Sequence, residues 1–324
     1  MRLLIDTDTA GDDAVAILMA LRASDVEVAA ITTVAGNVTV EQATCNALVT
    51  LEVADRTDIP VHPGSPAPLE HQIGFATEVH GDDGMGNIHR EAAGAAHGDT
   101  ALDATVALLR DAGPELTWVA LGPLTNVAHA LEADPDACRS VERLVVMGGV
   151  GDGVGNVTPA AEFNFWVDPH AAHQVLQAGL PVRLVGWDVS RRDALVTGAE
   201  MDELRNSGDS VAEFAMTITQ GLYEFSAAKH HAGFMDLPDP AAMAAALAPE
   251  HADWARRWAD VETHGGLTRG ALVVDHLATS GQAPNVDLCT GYDPARFRTL
   301  LFELLAPGLR HSPADRREAG ERAS

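Results

Sequence analysis

Residues 1–23 of the chain read MRLLIDTDTAGDDAVAILMALRA. A short apolar run, a polar turn and an apolar segment with helical spacing follow one another, which predicts a strand, a turn and a helix. Four aspartates lie at this junction: Asp6, Asp8, Asp12 and Asp13. Carboxylates this close together repel one another and are costly to bury unless a cation or a helix N-terminus compensates them. The stretch therefore predicts an α/β unit with a charged site at its turn.

The rest of the chain continues this alternation. Residues 26–36 (VEVAAITTVAG), 116–122 (LTWVALG) and 141–149 (VERLVVMGG) have the composition of strands, and segments with helical spacing lie between them. This rhythm predicts an α/β fold with a mostly parallel, Rossmann-like open central sheet flanked by helices. Ligands of such sheets bind beyond the carboxyl ends of the strands. The long irregular segments at 62–98 and 148–166 suggest functional loops.

Composition narrows the possible partners. The chain has 324 residues, with 47 acidic against 21 basic side chains and a net charge of −26. Such a surface repels nucleic-acid phosphates and anionic lipids, so we expect neither nucleic acid nor membrane as a partner. The three cysteines are too scattered for a disulfide framework. Without a signal-peptide pattern or a long apolar run, the sequence predicts a cytoplasmic protein.

We expect one catalytic domain over residues 1–308. The final segment, residues 309–324, is polar and charged, which predicts a disordered tail. The region 200–247 has the pattern of helices.

The aspartate cluster favours a metal site. Acidic residues at a helix N-terminus offset the helix dipole, and one can cap the helix, but this explains one or two of the four carboxylates. A cluster of oxygen ligands suits a hard divalent cation, Ca²⁺ or Mg²⁺, rather than zinc. The turn therefore predicts a divalent cation beside the first strand.

A second interpretation of the same stretch is a metal-dependent phosphatase. Residues 3–10, LLIDTDTA, also fit a strand ending in DxDxT, as in haloacid-dehalogenase-like phosphatases, whose first aspartate is the nucleophile. Those sites need a cation for the phosphate, and Lys229 is the one lysine of this chain. An uncharged polyol suits an acidic pocket better, so the phosphatase is kept as an alternative.

A third pattern, MGGVGDGVGN at residues 147–156, has the glycines of a dinucleotide-binding loop. Such a loop must open a helix, and here Pro159 and the EFNFW stretch intervene. We therefore expect no dinucleotide site.

DTDTAGDDAVAI, at residues 6–17, resembles the N-terminal signature of the inosine-uridine-preferring nucleoside hydrolase family. Further motifs follow in the order of that family and extend the resemblance to about residues 1–305: TTVAGNVTVEQATCNAL, VHGDDGMGN, VALGPLTNVA, VVMGG, GNVTPAAEFNFWVDP, MDLPDPAAMA and TRGALVVD. The resemblance implies Ca²⁺-dependent hydrolysis of a ribonucleoside to ribose and free base, through an oxocarbenium-like transition state. It also implies a role in nucleoside salvage and a homodimer or homotetramer.

The resemblance also implies roles for individual residues. Asp8, Asp13 and Asp239 would bind Ca²⁺ together with the backbone carbonyl of Leu121. Asp8 would also act as general base on the attacking water. Asp12 and Asn37 would hold the ribose 2′ and 3′ hydroxyls or orient the water.

Other residues would complete the ribose site. Asn156, Glu162 and Asn164 would hold the 5′ and 3′ side of the sugar, and Asp6 would support the metal ligands from behind.

The base side departs from the family pattern at Pro238. Many relatives have there a histidine that is proposed to protonate the leaving base, which proline cannot do. His80 is our candidate for a base-contacting acid, and Tyr223, His230 and His231 are possible base contacts. Because of Pro238, a catalytically weak ribose- or nucleoside-binding homologue is a further alternative.

Overall fold

An eight-stranded sheet forms the centre of the computed structural model, which describes residues 1–230 and 233–309, without the side chains of Lys229 and His230. The strands in chain order are β1 (Arg2–Thr7), β2 (Glu27–Thr33), β3 (Val61–Pro63), β4 (Leu116–Ala120), β5 (Arg143–Met147), β6 (Val182–Val185), β7 (Leu195–Thr197), β8 (Phe234–Asp236), β9 (Ala252–Arg257), β10 (Ala259–Val261), β11 (Leu272–Val274) and β12 (Val286–Tyr292). The order in the central sheet is β3-β2-β1-β4-β5-β6-β12-β9. Its neighbours pair in parallel, except that the edge strand β9 runs antiparallel to β12. The predicted single α/β domain with a mostly parallel sheet is confirmed.

Helices cover both faces of this sheet. They are α1 (Gly11–Arg22), α2 (Val40–Val53), α3 (Thr77–His80), α4 (Ala101–Ala112), α5 (Thr125–Ala133), α6 (Pro135–Arg139), α7 (Phe163–Val167), α8 (Pro169–Gln177), α9 (Trp187–Asp193), α10 (Gly198–Arg205), α11 (Ser210–Ile218), α12 (Gln220–His230), α13 (Pro238–Leu247) and α14 (Pro294–Leu305). Two short 3₁₀ helices lie at Gly113–Glu115 and Pro249–His251.

The first strand shows how the sheet divides the core. Leu3 and Ile5 of β1 belong to the apolar cluster under α1 and α13, whereas Leu4 points into the cluster on the opposite face with Trp118. Because side chains alternate along a strand and both faces are covered, the interior positions of β1, Leu3 to Ile5, must all be apolar. This explains the continuous LLI run that follows Arg2.

Helices α1 and α13 pack against each other on one face of the sheet. Both are buried almost throughout, α1 from Gly11 to Ala20 and α13 from Asp239 to Ala246. The alanines of α13 leave little side-chain volume between the two helices, which lets their backbones approach closely. The N-terminus of α13 is thereby held beside the N-terminus of α1.

The structure differs from the sequence-based expectation in the region 200–247. A three-residue strand, β8, lies within this segment, which was expected to be helical, and it pairs antiparallel with β7. Pairing with a distant short strand is a tertiary effect that local periodicity does not reveal. The expected disordered tail falls outside the described residues from 310 onward. Within the described residues, no helix is both long and apolar enough to cross a bilayer.

Candidate active site

The carboxyl end of β1 brings the first acidic residues to the site. All four aspartates of this stretch are buried. Asp13, in the first turn of α1, accepts hydrogen bonds from the backbone N–H of Ala10 at 2.9 Å and from the hydroxyl of Thr7 at 2.5 Å. Asp13 therefore satisfies an unpaired donor of the helix N-terminus, as the capping interpretation expects for one member of the group.

Asp239 completes the cluster from the far part of the chain. It lies in the first turn of α13, where it is 4 % exposed. Carboxylate oxygens of Asp12, Asp13 and Asp239 lie within 4.8 Å of one another. The predicted ligand set contains Asp8 in place of Asp12, so this trio differs from it by one residue. Asp8 is still close enough for its charge to act on Asp239.

Burial and mutual repulsion dominate the electrostatics of this cluster. Burial, followed by the charge of Asp13, raises the pKa of both Asp8 and Asp239 well above the usual range. Burial raises the pKa of Asp12 to about 6. Oδ1 of Asp8 and Oδ1 of Asp12 are buried and accept no hydrogen bond within the described part of the chain. Oxygens of this kind fit a bound cation, which would compensate their lost hydration.

Two glycines make room for Asp8. A Cβ atom at Gly36 would lie 2.1 Å from Oδ2 of Asp8, and one at Gly122 would lie 2.9 Å from Oδ1. The same Oδ2 accepts the backbone N–H of Asn37 at 2.5 Å. Backbone from the loops after β2 and β4 is thus packed directly around this carboxylate, which fixes its orientation.

Asp6 lies behind the cluster. Its Oδ1 accepts from the Thr32 hydroxyl at 2.5 Å and from the Asn126 side-chain amide at 2.7 Å. It is fully buried, and burial raises its pKa to about 7. This position is compatible with a supporting role; Oδ2 of Asp6 is buried without a hydrogen-bond partner among the described residues, and Asp6 does not line the cavity.

The carbonyl of Leu121 lies at the carboxyl end of β4 and accepts the Asn164 side-chain amide at 2.6 Å. Glu162 begins α7 and accepts the backbone N–H groups of Asn164 and Gly149, each at 2.8 Å. Burial raises the pKa of Glu162 to about 7. Asn164 therefore ties the segment after β5 to the end of β4, and Glu162 holds that segment together from within.

A cavity of about 560 Å³ opens over these groups. Its polar lining includes Asp12, Asn37, Asn156, Glu162, Asn164 and Asp239. A more apolar part of the lining includes Phe75, Val79, His80, Trp187, Leu222 and Phe225. A volume of this size suits a small molecule with a polar end and a flat apolar end.

The structure describes the side chains of two of the four predicted base contacts, His80 and Tyr223. His80 lines the cavity with its Nδ1 at 3.7 Å from Oδ1 of Asp12, and burial lowers its pKa to about 4. Tyr223 is not part of the described lining: a Cβ atom at Gly198 would lie 2.6 Å from its hydroxyl, so its ring packs against the start of α10. The side chain of His230 and all of His231 lie outside the described residues.

Sequence reasoning missed a part of the cavity wall. Trp187 packs in the interior at 7 % exposure and also lines the cavity. Arg191, one turn later in α9, lines the cavity as well. A signal was present, since WDVSRR directly follows β6, whose carboxyl end points toward the site.

A parallel α/β sheet with buried carboxylates and a small-molecule cavity at its strand ends defines the class of the protein as a hydrolase-like α/β enzyme. Residues 3–299 match the family described as inosine-uridine preferring nucleoside hydrolase. The chain belongs to this family, whose members are metal-dependent, and it is an enzyme that acts on N-glycosyl bonds of ribonucleosides.

Individual relatives agree with this membership. The chain is 38 % identical to the pyrimidine-specific ribonucleoside hydrolase RihA of Enterobacter sp. (strain 638), over 94 % of this chain and 97 % of the relative. Among solved structures, a plant nucleoside hydrolase matches with a TM-score of 0.90 at 32 % identity, covering 94 % of this chain and 98 % of that one. The purine-preferring ribonucleoside hydrolase of Gardnerella vaginalis matches with a TM-score of 0.89 at 27 % identity, covering 95 % and 98 %.

Proposed function

We propose that this chain hydrolyses ribonucleosides to ribose and free base with the help of a bound Ca²⁺ ion. The observation that carries the proposal is the pair of unpartnered buried oxygens, on Asp8 and Asp12, beside the carboxylate trio under the cavity. Such an arrangement is costly in the absence of a cation, and its oxygen-only donors suit Ca²⁺.

Asp8, Asp13, Asp239 and the Leu121 carbonyl would hold the ion. Bound Ca²⁺ supplies positive charge that acidifies water and orients the ribose hydroxyls. Packing of Gly36 and Gly122 against Asp8 supports this assignment, because it turns one carboxylate oxygen of Asp8 toward the Leu121–Gly122 peptide.

The chemical step follows from the remaining side chains. Asp8 takes a proton from the attacking water as its oxygen bonds to C1′ of the ribose. The C1′–N bond breaks, and its electron pair leaves with the base. The positive charge that develops on the sugar is stabilised by the surrounding carboxylates. Asp12 and Asn37 hold the 2′ and 3′ hydroxyls.

Asn156, Glu162 and Asn164 would hold the other side of the sugar. Glu162 and Asn164 are nearly fully buried, at 2 % and 5 % exposure. Their side chains are fixed by hydrogen bonds to backbone, so the sugar meets groups that are already oriented.

Release of reducing sugar from uridine, cytidine, inosine and adenosine, each with Ca²⁺ and with EDTA, tests the proposal. We expect turnover of at least one nucleoside with Ca²⁺ and its loss with EDTA. The ranking of the four nucleosides gives the base preference. The relatives do not fix this preference, because they include both pyrimidine-specific and purine-preferring enzymes. Turnover that resists EDTA after complete removal of divalent ions would contradict the metal requirement.

The two alternative interpretations are not supported. The family acts on N-glycosyl bonds, and the relatives are named hydrolases rather than phosphatases or binding proteins. Geometry also opposes the phosphatase, because Asp6 would be its nucleophile and is enclosed by Thr32 and Asn126.

We also infer a homodimer or homotetramer and a cytoplasmic role in nucleoside salvage, on the basis of the family resemblance. Leu267, Val273 and Leu277 are exposed at 89 %, 50 % and 84 %, and they lie in one segment around β11. An apolar surface of this kind is compatible with contact to a second copy. Analytical ultracentrifugation of the purified chain tests the assembly, and a monomer at micromolar concentration would refute it.

A further inference from the structure

The cavity wall contains a cationic side chain that the proposed mechanism does not use. The guanidinium of Arg191 lies over the indole ring of Trp187, with its carbon 4.8 Å from the ring centroid. Trp187 is itself fixed, because its Nε1–H donates to Asp236 at 2.7 Å. In the described part of the chain, no carboxylate forms an ion pair with Arg191. Its N–H groups therefore stay available on the cavity side.

The position of this stack places it at the base end of the cavity. Asp236, which holds the indole, ends β8, and α13 begins two residues later at Pro238. Position 238 is where the resemblance places a histidine that protonates the leaving base in many relatives. Trp187 and Arg191 thus flank the point at which the base departs, and proline at that point has no proton to give.

A base that leaves without prior protonation carries its electron pair as negative charge. In bases with ring carbonyl groups, this charge is delocalised onto the carbonyl oxygens. A guanidinium is always protonated and donates in a fixed planar fork, which suits such oxygens. Stacking on an aromatic face holds this fork in one plane before the substrate arrives.

We propose that Arg191 stabilises the leaving base, alongside the candidate contact His80, by donating hydrogen bonds to a carbonyl oxygen on which the departing anion carries charge. The proton that finally neutralises the base then comes from solvent. Arg191 also selects for bases with a carbonyl group over bases with an amino group at the contacted position. The inference rests on the proposed function, since it assigns the leaving-group step of the same reaction.

Arg191→Met tests this role, because methionine retains much of the apolar contact with Trp187 but cannot donate. We expect kcat/KM for uridine and inosine to fall about tenfold to hundredfold, as for the loss of a donor to a developing oxyanion. The preference for uridine over cytidine and for inosine over adenosine should shrink. Cleavage of p-nitrophenyl riboside should change less than about threefold, because its leaving group needs little stabilisation. Arg191→Lys, which keeps the charge, should recover part of the loss.

Arg183→Met is the matched control. Arg183 stacks on Trp254 with nearly the same geometry, at 4.9 Å, and does not line the cavity. The Arg183→Met variant should therefore leave all rate constants unchanged. The proposal for Arg191 would be wrong if Arg191→Met left uridine turnover unchanged, or if it lowered kcat/KM for the nitrophenyl riboside and for natural nucleosides equally. Absence of turnover of every riboside by the unmodified enzyme would instead refute the proposed function and this inference with it.

Discussion

Carboxylate oxygens of Asp13 and Asp239 lie within 4.8 Å of each other, although one residue lies in the first turn of α1 near the start of the chain and the other in the first turn of α13 in its last third. Two buried carboxylates this close repel each other when both are ionised, and a bound cation or a proton on one of them relieves the repulsion. The contact therefore makes the stability of the fold and the binding of a metal depend on the same two groups.

Asp239→Asn should separate these two effects. We expect activity to fall by about 10²–10³-fold or more, because a ligand and a stabilising charge are both lost. In EDTA, the free energy of unfolding should instead rise by roughly 1–3 kcal/mol, because a buried repulsion is removed. Thermal melts with Ca²⁺ and with EDTA measure the change in stability, and steady-state kinetics measure the change in activity.

Asp293→Asn is the control for that change, since Asp293 caps α14 through the N–H groups of Ala295 and Arg296 and asparagine caps equally well. It should alter neither the rate nor the Ca²⁺ response. A metal-free Asp239→Asn protein that melts lower than the unmodified chain would show that repulsion between the carboxylates does not dominate the stability of this cluster.

The stabilisation by Ca²⁺ should grow with pH. Burial raises the pKa of Asp6 to about 7 and of Asp12 to about 6, from an ordinary value of 3.8. The metal-free folded state thus binds protons more tightly than the unfolded state, and it loses stability as pH rises between about 4 and 7. A cation binds the deprotonated carboxylates, so the affinity for the cation rises over the same pH range.

The measurement is the difference in melting temperature between Ca²⁺ and EDTA, at pH 5 and pH 8 and constant ionic strength. We expect the larger difference at pH 8. Equal differences at both values would show that proton release is not linked to ion binding.

Gly36→Ala should damage the site without changing its chemistry. The added Cβ would lie 2.1 Å from Oδ2 of Asp8, so the carboxylate must move. A displacement of about 1 Å at a reacting group costs on the order of 10²-fold in rate. Gly98→Ala, where nothing lies within 4 Å of the new atom, is the matched control. Steady-state kinetics at saturating Ca²⁺ compare the two, and similar rates would mean that the loop shifts freely.

His80→Ala tests the candidate base contact. His80 lines the cavity and lies beside Asp12, and its low pKa keeps the imidazole neutral near pH 7. As a neutral donor to the base, His80 should assist the cleavage of natural nucleosides, so His80→Ala should lower kcat on them by about 10²-fold. Turnover of p-nitrophenyl riboside should fall much less. An unchanged kcat on purine and pyrimidine nucleosides alike would remove His80 from the reaction.

The sheet could be predicted from the sequence because its strands are buried on both faces. A short apolar run such as LLI at residues 3–5 is best explained as a buried strand when helical segments follow at regular intervals. The short strands β7 and β8 could not, because three residues carry no periodicity and their pairing joins segments distant in the chain.

The polar half of the candidate site was predictable for a different reason. Aspartates clustered after a buried strand indicate a cation site or helix capping, so Asp8 and Asp13 could be selected from the sequence alone. The base half is built from ordinary apolar residues, and Trp187 looks like any core tryptophan until the fold places it on the cavity wall. Tyr223 is the reverse case, because an aromatic residue that the sequence suggests as a base contact packs against Gly198 and is not part of the described lining.

The contact between α1 and α13 also has a consequence for synthesis of the chain. Asp12 and Asp13 are synthesised well before Asp239, which follows Asp13 by 226 residues. An ion captured early by the first two carboxylates alone would be held by an incomplete set of ligands. The nascent chain therefore gains its full affinity for the cation late, which couples completion of the polypeptide to the appearance of a working enzyme.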